Sequence, residues 1–233
     1  MGAVAVASGL SFVERVAEVL ERVDYRRADS AEEREAIFRL RYEAYLREGT
    51  IQPAHSRVVS DRFDDLENAW TFGLYIDSQL ASSFRMHIAT RKHPELPAGQ
   101  VFSDILIPEI ERGRTIIDPT RFVADAAIAR KYPELAYLTV RLGYMAAEFF
   151  AADVVLATVR GEHQAFYKRV FGHRVVCPPR PYPGLTKPIS LMSLHYPPAR
   201  QQIVHRYPFF RSSLFERRML FERPVAVPQR TAA

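Results

Sequence analysis

Four short segments carry charged side chains suited to pairing with one another or to binding an amine. The first is Arg41-Tyr42-Glu43-Ala44-Tyr45. In a helix Arg41 and Tyr45 stand four apart on one face, along a stripe that also holds Ile37. A guanidinium there needs a carboxylate, because an unpaired buried charge is costly; the plainer alternative is an arginine snorkelling at the edge of the core. The second is Asp61-Arg62-Phe63-Asp64-Asp65. Its carboxylates suit pairing with Arg41 or Arg85, or binding an amine, and also fit a solvated acidic turn. The third is Ser83-Phe84-Arg85, where strand alternation sets Arg85 on the face of Ser83. The fourth is Asp118-Pro119-Thr120-Arg121-Phe122 inside an apolar strand. A carboxylate in such a strand marks either a function or an internal ion pair with Arg41 or Arg85. In regular register Asp118, Thr120 and Phe122 share one face and Arg121 takes the other. Pro119 predicts a bulge or an edge position that would change this.

The elements that must position these groups follow from pattern. Residues 11–23 read as an amphipathic helix and 25–29 as a first strand. Ser30 and Glu33 form a capping box ahead of a long helix ending near Gly49. A polar loop over 50–68 leads to two β-rich runs, 69–76 and 80–89, that read as a hairpin. Residues 90–113 contain prolines and read as irregular, and 114–124 as a strand. Beyond them come a strong helix (135–151), an apolar strand (153–159), a helix (161–171), a Pro-rich connector and a last strand (189–195). Strands that first meander and then alternate with helices predict a mixed α/β sheet in one domain. The expected organisation is an N-terminal helical extension (1–24), the main domain (25–196) and a basic helical tail (197–233) packed on it.

Composition narrows the classes. With 48% hydrophobic and 25% charged residues the 233-residue chain has ordinary globular usage. No apolar run reaches the length of a membrane span, and residues 1–10 lack the basic start of a secretory signal. The one cysteine, Cys177, excludes an internal disulfide and a cysteine-built zinc site, and predicts a cytoplasmic setting. It precedes Pro178-Pro179 with no charged neighbour, so it makes a poor nucleophile. Charge is lopsided: residues 160–233 carry 13 Lys/Arg against 3 Asp/Glu, while residues 1–159 carry 19 against 24. A basic C-terminal third attracts an acidic partner. It holds no recognisable groove-reading module, which argues against nucleic acid. The tail around Phe209, Phe210, Leu214, Phe215 and Arg217-Arg218 also suits peripheral membrane contact.

In order and spacing, the four segments resemble the acyl-homoserine-lactone (autoinducer) synthase branch of the GNAT-like acyltransferases, and most of all the long-chain N-acyl amino acid synthases. The likeness spans about residues 25–196. The Arg and aromatic of the family helix match Arg41 and Tyr45, though the tryptophan six residues on is Ile51 here. The loop aspartates match Asp61 and Asp64, and the strand arginine matches Arg85. The Glu-x-Ser-Arg-Phe segment appears as Asp118-Pro119-Thr120-Arg121-Phe122, which keeps both functional groups.

The resemblance implies a GNAT-like, mostly antiparallel sheet flanked by helices. It implies an N-acyltransferase that joins a long-chain acyl group, carried as the phosphopantetheine thioester of an acyl carrier protein or as acyl-CoA, to an amino acid. Loss of the tryptophan favours the amino acid over the homoserine-lactone branch. Gly143 alone lies between Arg121 and Tyr144, so a Gly-rich diphosphate cradle is not expected. That favours the carrier protein, docked on the basic third, over CoA.

Asp118 is the first choice of base, and Asp61 or Asp64 the second. Arg41, Tyr45, Arg85, Thr120, Arg121 and Phe122 are expected to bind substrate or lock the acids in place. Phe84, Phe166 and Tyr167 are expected near the acyl and pantetheine chain, in a tunnel lined by Phe, Leu and Val. No metal is expected. The alternatives are a CoA-dependent acetyltransferase of a small amine, a homoserine-lactone synthase, or a non-enzymatic basic adaptor.

Overall fold

The computed structural model describes residues 10–223. The first nine residues, bearing on the signal-peptide reading, and the last ten of the expected tail lie outside the described residues. Seven strands form one sheet in the order β1-β2-β3-β4-β5-β7-β6. The strands are β1 (Val23–Arg27), β2 (Ala69–Ile76), β3 (Gln79–Ala89), β4 (Ile116–Ala124), β5 (Val154–Val159), β6 (Arg174–Val175) and β7 (Ser190–His195). All neighbours are antiparallel except β4 and β5, which run parallel. The helices are α1 (Phe12–Leu20), α2 (Ala31–Arg47), α3 (Gly99–Glu111), α4 (Ala126–Lys131), α5 (Leu135–Phe149), α6 (Gln164–Phe171), α7 (Tyr196–Arg206) and α8 (Leu214–Phe221). This is the mixed, mostly antiparallel α/β sheet expected from the sequence.

The local signals act as read. Ser30 and Glu33 exchange both capping-box bonds at the start of α2, and Ser11 and Glu14 do the same for α1. Asp77 and Ser78 take left-handed backbone angles and close the β2–β3 hairpin. Helix α3 is a correction to the irregular stretch expected over 90–113. Pro108 and a kink at Phe102 interrupt its pattern, yet Phe102, Leu106 and Ile110 bury one stripe.

Two apolar layers follow from strand alternation. Phe84, Met86 and Ile88 of β3 and Ile117 of β4 face α1, α5, α7 and α8. Ala89 and Ile116 face α3 on the other side, where α2 also packs through Leu40 and Ala44 against Val123. Helix α5 is buried nearly all round. Its Arg141, 3% exposed, donates to the Phe209 and Arg211 carbonyls and pairs with Glu216, pinning α8 to the core. Phe209 and Phe210 are buried in this packing, so the membrane-facing role expected for them is corrected: among the described residues of the tail, Leu214, Phe215 and Met219 are the large apolar side chains left exposed.

Candidate active site

Arg85 stands at the centre of a chain of ion pairs on the α2–α3 face of the sheet. Its guanidinium donates to both Asp61 oxygens at 2.6 and 3.2 Å, pairs with Asp64 at 2.9 Å, and donates to the Thr120 hydroxyl at 3.1 Å. Arg41 reaches Asp64 at 2.9 Å from α2, and Arg121 pairs with Asp61 from β4. Tyr45 joins through its ring, 5.5 Å from the Arg121 guanidinium. The loop carrying the two aspartates is a short 3-10 turn, Arg62–Asp65, closed by its own capping box: Phe63 N–H donates to Asp61 and Asp61 N–H to Asp64. Arg41 and Asp64 are sealed from solvent, whereas Asp61 and Arg121 form the open end of the cluster.

The register of β4 explains how adjacent Thr120 and Arg121 both reach this cluster. Pro119 pairs regularly with Met86, but Ser83 opposes Val123 while Arg85 opposes Thr120, which leaves one extra residue in β4. That residue is Arg121, at φ +55°. The bulge therefore sits at Arg121 and not at Pro119, and it turns Phe122 onto the opposite face from Asp118. Phe122 lies edge-on to Phe84, ring centroids 6.4 Å apart, on the α5 side. A left-handed, non-glycine residue costs on the order of 1 kcal/mol, and here the Asp61 pair and the Tyr45 ring hold it.

Asp118 lies on the same face, opposite His87, and is completely buried. One carboxylate oxygen accepts the Ala98 N–H at 2.9 Å; the other has no partner among the described residues. Burial raises its carboxyl to about 7, only partly opposed by the Ala98 N–H and by Arg85. Asp61 and Asp64 go the other way. Burial disfavours their charge, but Arg85 with Arg121, and Arg41 with Arg85, outweigh it and hold both acids below the usual carboxylate range. Arg41 is pulled down to about 10 by burial against the pull of Asp64. Burial and Arg85 keep His87 neutral, its ionisation lowered to about 4. With Asp118 protonated, three arginines face two carboxylates, leaving one cation in excess.

Beside this cluster the sheet parts. β4 and β5 pair only at Ile116–Ile117 against Val154–Val155. Beyond that, residues 118–124 and 156–159 diverge. Thr158, on the same face of β5 as Leu156, has a buried hydroxyl with no partner among the described residues. Phe166 and Tyr167 lie on α6, which follows β5, in an aromatic group with Tyr137 and His173 on the α5 side. Phe84 is on that side too, so these three stand across the sheet from the ion cluster. The long tunnel expected from the sequence is not among the cavities described. One of about 510 Å3 opens beside Asp64 and Trp70, one of about 210 Å3 beside Phe63 and Leu96, and one of about 420 Å3 near the C-terminal end of α5.

Three groups escaped the sequence reading. His87 stands two residues beyond Arg85, and alternation alone would have placed it on the same face. Thr158 gives no local signal. Tyr182 comes from the Pro-rich β6–β7 connection. Its hydroxyl donates at 3.3 Å to the Pro97 carbonyl, the other side of the same peptide group whose N–H is bound by Asp118. Burial, then Asp118, push its ionisation up to about 12.

Among solved structures, the chain is similar to the N-acyl amino acid synthase FeeM from uncultured soil microbes, at 19% identity and a TM-score of 0.66. That likeness covers 79% of this chain and 96% of that one. TofI, solved in a ternary complex with an inhibitor and MTA, is 12% identical with a TM-score of 0.57, over 82% and 100% of the two chains. The acyl-homoserine-lactone synthase LasI is 13% identical with a TM-score of 0.53, over 78% and 94%. At these identities the likeness speaks for the fold. A comparison with curated proteins finds none that matches. The family profile of the N-acyl amino acid synthase FeeM, however, matches residues 36–195, a stretch that runs from α2 through the last strand and includes the whole ion cluster. The chain therefore belongs to the FeeM family of N-acyl amino acid synthases and is an N-acyltransferase.

Proposed function

We propose that the enzyme condenses a long-chain acyl group, delivered as an acyl-carrier-protein thioester, with the amino group of an amino acid. The observation that carries this reading is the meeting of Asp118, a buried acid titrating near neutrality, with an arginine cluster one cation in excess, beside the parted ends of β4 and β5. The acyl thioester enters between the parted strands; use of an acyl thioester is in keeping with the CoA-dependent lactone synthase BjaI, a similar fold solved with isopentyl-CoA. The amino acid lies against the open end of the cluster, its carboxylate on Arg121.

Asp118, as carboxylate, takes a proton from the substrate ammonium. The free amine attacks the thioester carbonyl, and the oxyanion is held by β4 backbone N–H groups freed by the parting and by the Thr158 hydroxyl. The C–S bond breaks and the amide forms; Asp118 passes its proton to the leaving thiolate and returns to the carboxylate, while the second proton, lost from the nitrogen, goes to solvent. Asp61 and Asp64 are held too acidic to serve as the base; they fix Arg41, Arg85 and Arg121 in place. Because Asp118 is fully enclosed, entry of substrate displaces the Tyr182 loop.

The carrier protein is assigned to the basic surface of α6 and α7. Lys168 and Arg169 are exposed there, and Arg206 reaches across to the Arg169 carbonyl. An acidic carrier would be steered to such a patch. Mass spectrometry of the products, with acyl-carrier and acyl-CoA donors of several chain lengths against a panel of amino acids, tests the reading. A new N-acyl amino acid formed faster from the carrier thioester is expected. Acetylation of a small amine from acetyl-CoA alone would overturn it.

A further inference from the structure

The groove of about 420 Å3 lies at the other end of the sheet from the parted strands. Helix α5 ends at Phe149, just ahead of β5, and Val154 at the start of β5 pairs with both Ile116 and His195. Glu148 near the end of α5, and Tyr196 at the start of α7, therefore sit where β4 and β5 are joined, with Tyr144 one turn earlier on α5. The acyl-transfer cleft lies where they separate.

The floor of the groove is apolar: Phe210 and Ile203 are buried, and the Tyr144 ring stacks on Phe171 with centroids 4.5 Å apart. Two donors are left over. The Tyr144 hydroxyl is buried in a residue 5% exposed and meets no partner among the described residues. Burial, with Tyr196 and Tyr167 nearby, raises its ionisation well above the usual tyrosine value, so it stays an O–H donor. Arg217 Nε is likewise buried without a partner, while its Nη1 donates to the Ser212 carbonyl and hydroxyl at 2.6 and 2.9 Å. Buried donors rarely stay unpaired.

The charge balance points the same way. Glu148 is already engaged by the Tyr196 hydroxyl and by Arg200. Arg211 and Arg217 have no carboxylate partner among the described residues, so the groove keeps cationic character above an apolar floor. An acceptor carrying negative charge on an apolar body satisfies all of these features.

We propose that this groove is a second ligand site, for a small amphipathic carboxylate. Its oxygens meet the Tyr144 hydroxyl and the Arg217 guanidinium, and its alkyl part lies on Phe210 and Ile203. Two sources offer that chemistry: a free fatty acid, and an acyl amino acid. The second source rests on the acyl-transfer reading; the first does not.

Methyl NMR of the full chain tests this site by its own residues. Ile203 and Val204 report the groove, and Val159, at the parted end of β5, reports the cleft separately. Octanoate and N-octanoylglycine are expected to shift Ile203 and Val204, and octylamine to leave them in place. Whichever carboxylate binds more tightly identifies the source, and either order supports the site. Tyr144→Phe keeps the ring stack and removes one donor to a charged acceptor, so it should weaken binding at these methyls about tenfold. Arg217→Gln should do the same, and serves should the first variant fold poorly. Groove methyls that do not respond, that respond equally to octylamine, or that bind octanoate unchanged in both variants overturn the proposal. A chain that shows these shifts but forms no amide would sink the acyl-transfer reading and leave this one standing.

Discussion

Replacing Asp118 by Asn should make the enzyme both less active and, above neutral pH, more stable. Burial raises the Asp118 carboxyl from 3.8 to about 7, so the folded chain keeps this proton to higher pH than the unfolded chain does. Between about pH 4 and 7 the folded state binds more protons, and the group's contribution to stability therefore falls as pH rises. At about 1.4 kcal/mol per pH unit, the full penalty at pH 8 is about 4 kcal/mol as an upper bound. Asparagine carries no charge and retains an oxygen for the Ala98 N–H. Its NH2 replaces an oxygen that has no partner, and an unsatisfied buried donor returns about 1–3 kcal/mol of that gain. The net expectation at pH 8 is a variant more stable by about 2 kcal/mol, or about 4–8 °C in Tm for a chain of this size. At pH 4 the advantage should be gone. Over the same range, wild-type kcat should rise with pH through about 7, and the variant's turnover should be lower by about 10²–10⁴. Calorimetry at pH 4 and pH 8, with thiol release from an acyl-carrier thioester, measures both. A variant with no pH-dependent gain would show that Asp118 is not a raised, buried acid. Near wild-type turnover would show that the base lies elsewhere.

Arg41→Met strips a sealed cation from Asp64 and should lower stability by about 3 kcal/mol in denaturant titration; adding Asp64→Asn should recover part of that loss. Arg121→Gly relieves the left-handed residue by about 1 kcal/mol while losing the Asp61 pair, so stability should change little. The KM for the amino acid should rise by about tenfold or more in steady-state assays, reflecting one lost charged hydrogen bond. Reversing charge at Lys168 and Arg169 to Glu should raise the KM for an acyl-carrier donor and flatten its salt dependence. The rate with a short acyl-pantetheine donor should be unchanged.

Much of the site was legible because ion pairs need complementary side chains in fixed types, and these stood out against apolar surroundings. Arg41, Asp61, Asp64, Arg85 and Arg121 do converge. What the sequence hid is geometric. Pro119 drew attention as the irregular point of β4, yet proline fits a regular pair with Met86, and the extra residue is its neighbour but one. A register shift of that kind decides which face Phe122 takes, and no composition signal reports it. Helix α3 was hidden for another reason: Pro108 and a distorted Phe102 break its period, and its first residue has no side-chain cap. Tyr182 arrives from a segment whose prolines announce a loop but not where the loop lands.

The short ladder between β4 and β5 has a mechanical meaning. Strands β1–β4 form one board and β5–β7 another, and the hydrogen bonds around Ile116–Ile117 are the only stitching between them among the described residues. Helix α5, packed against β3, β4 and β5 alike, is the spine that keeps the boards from swinging apart. Past that ladder the free ends are held by helix packing and the shared apolar layers and not by sheet hydrogen bonds, so a load placed between them falls on side-chain contacts and leaves the pleated halves intact.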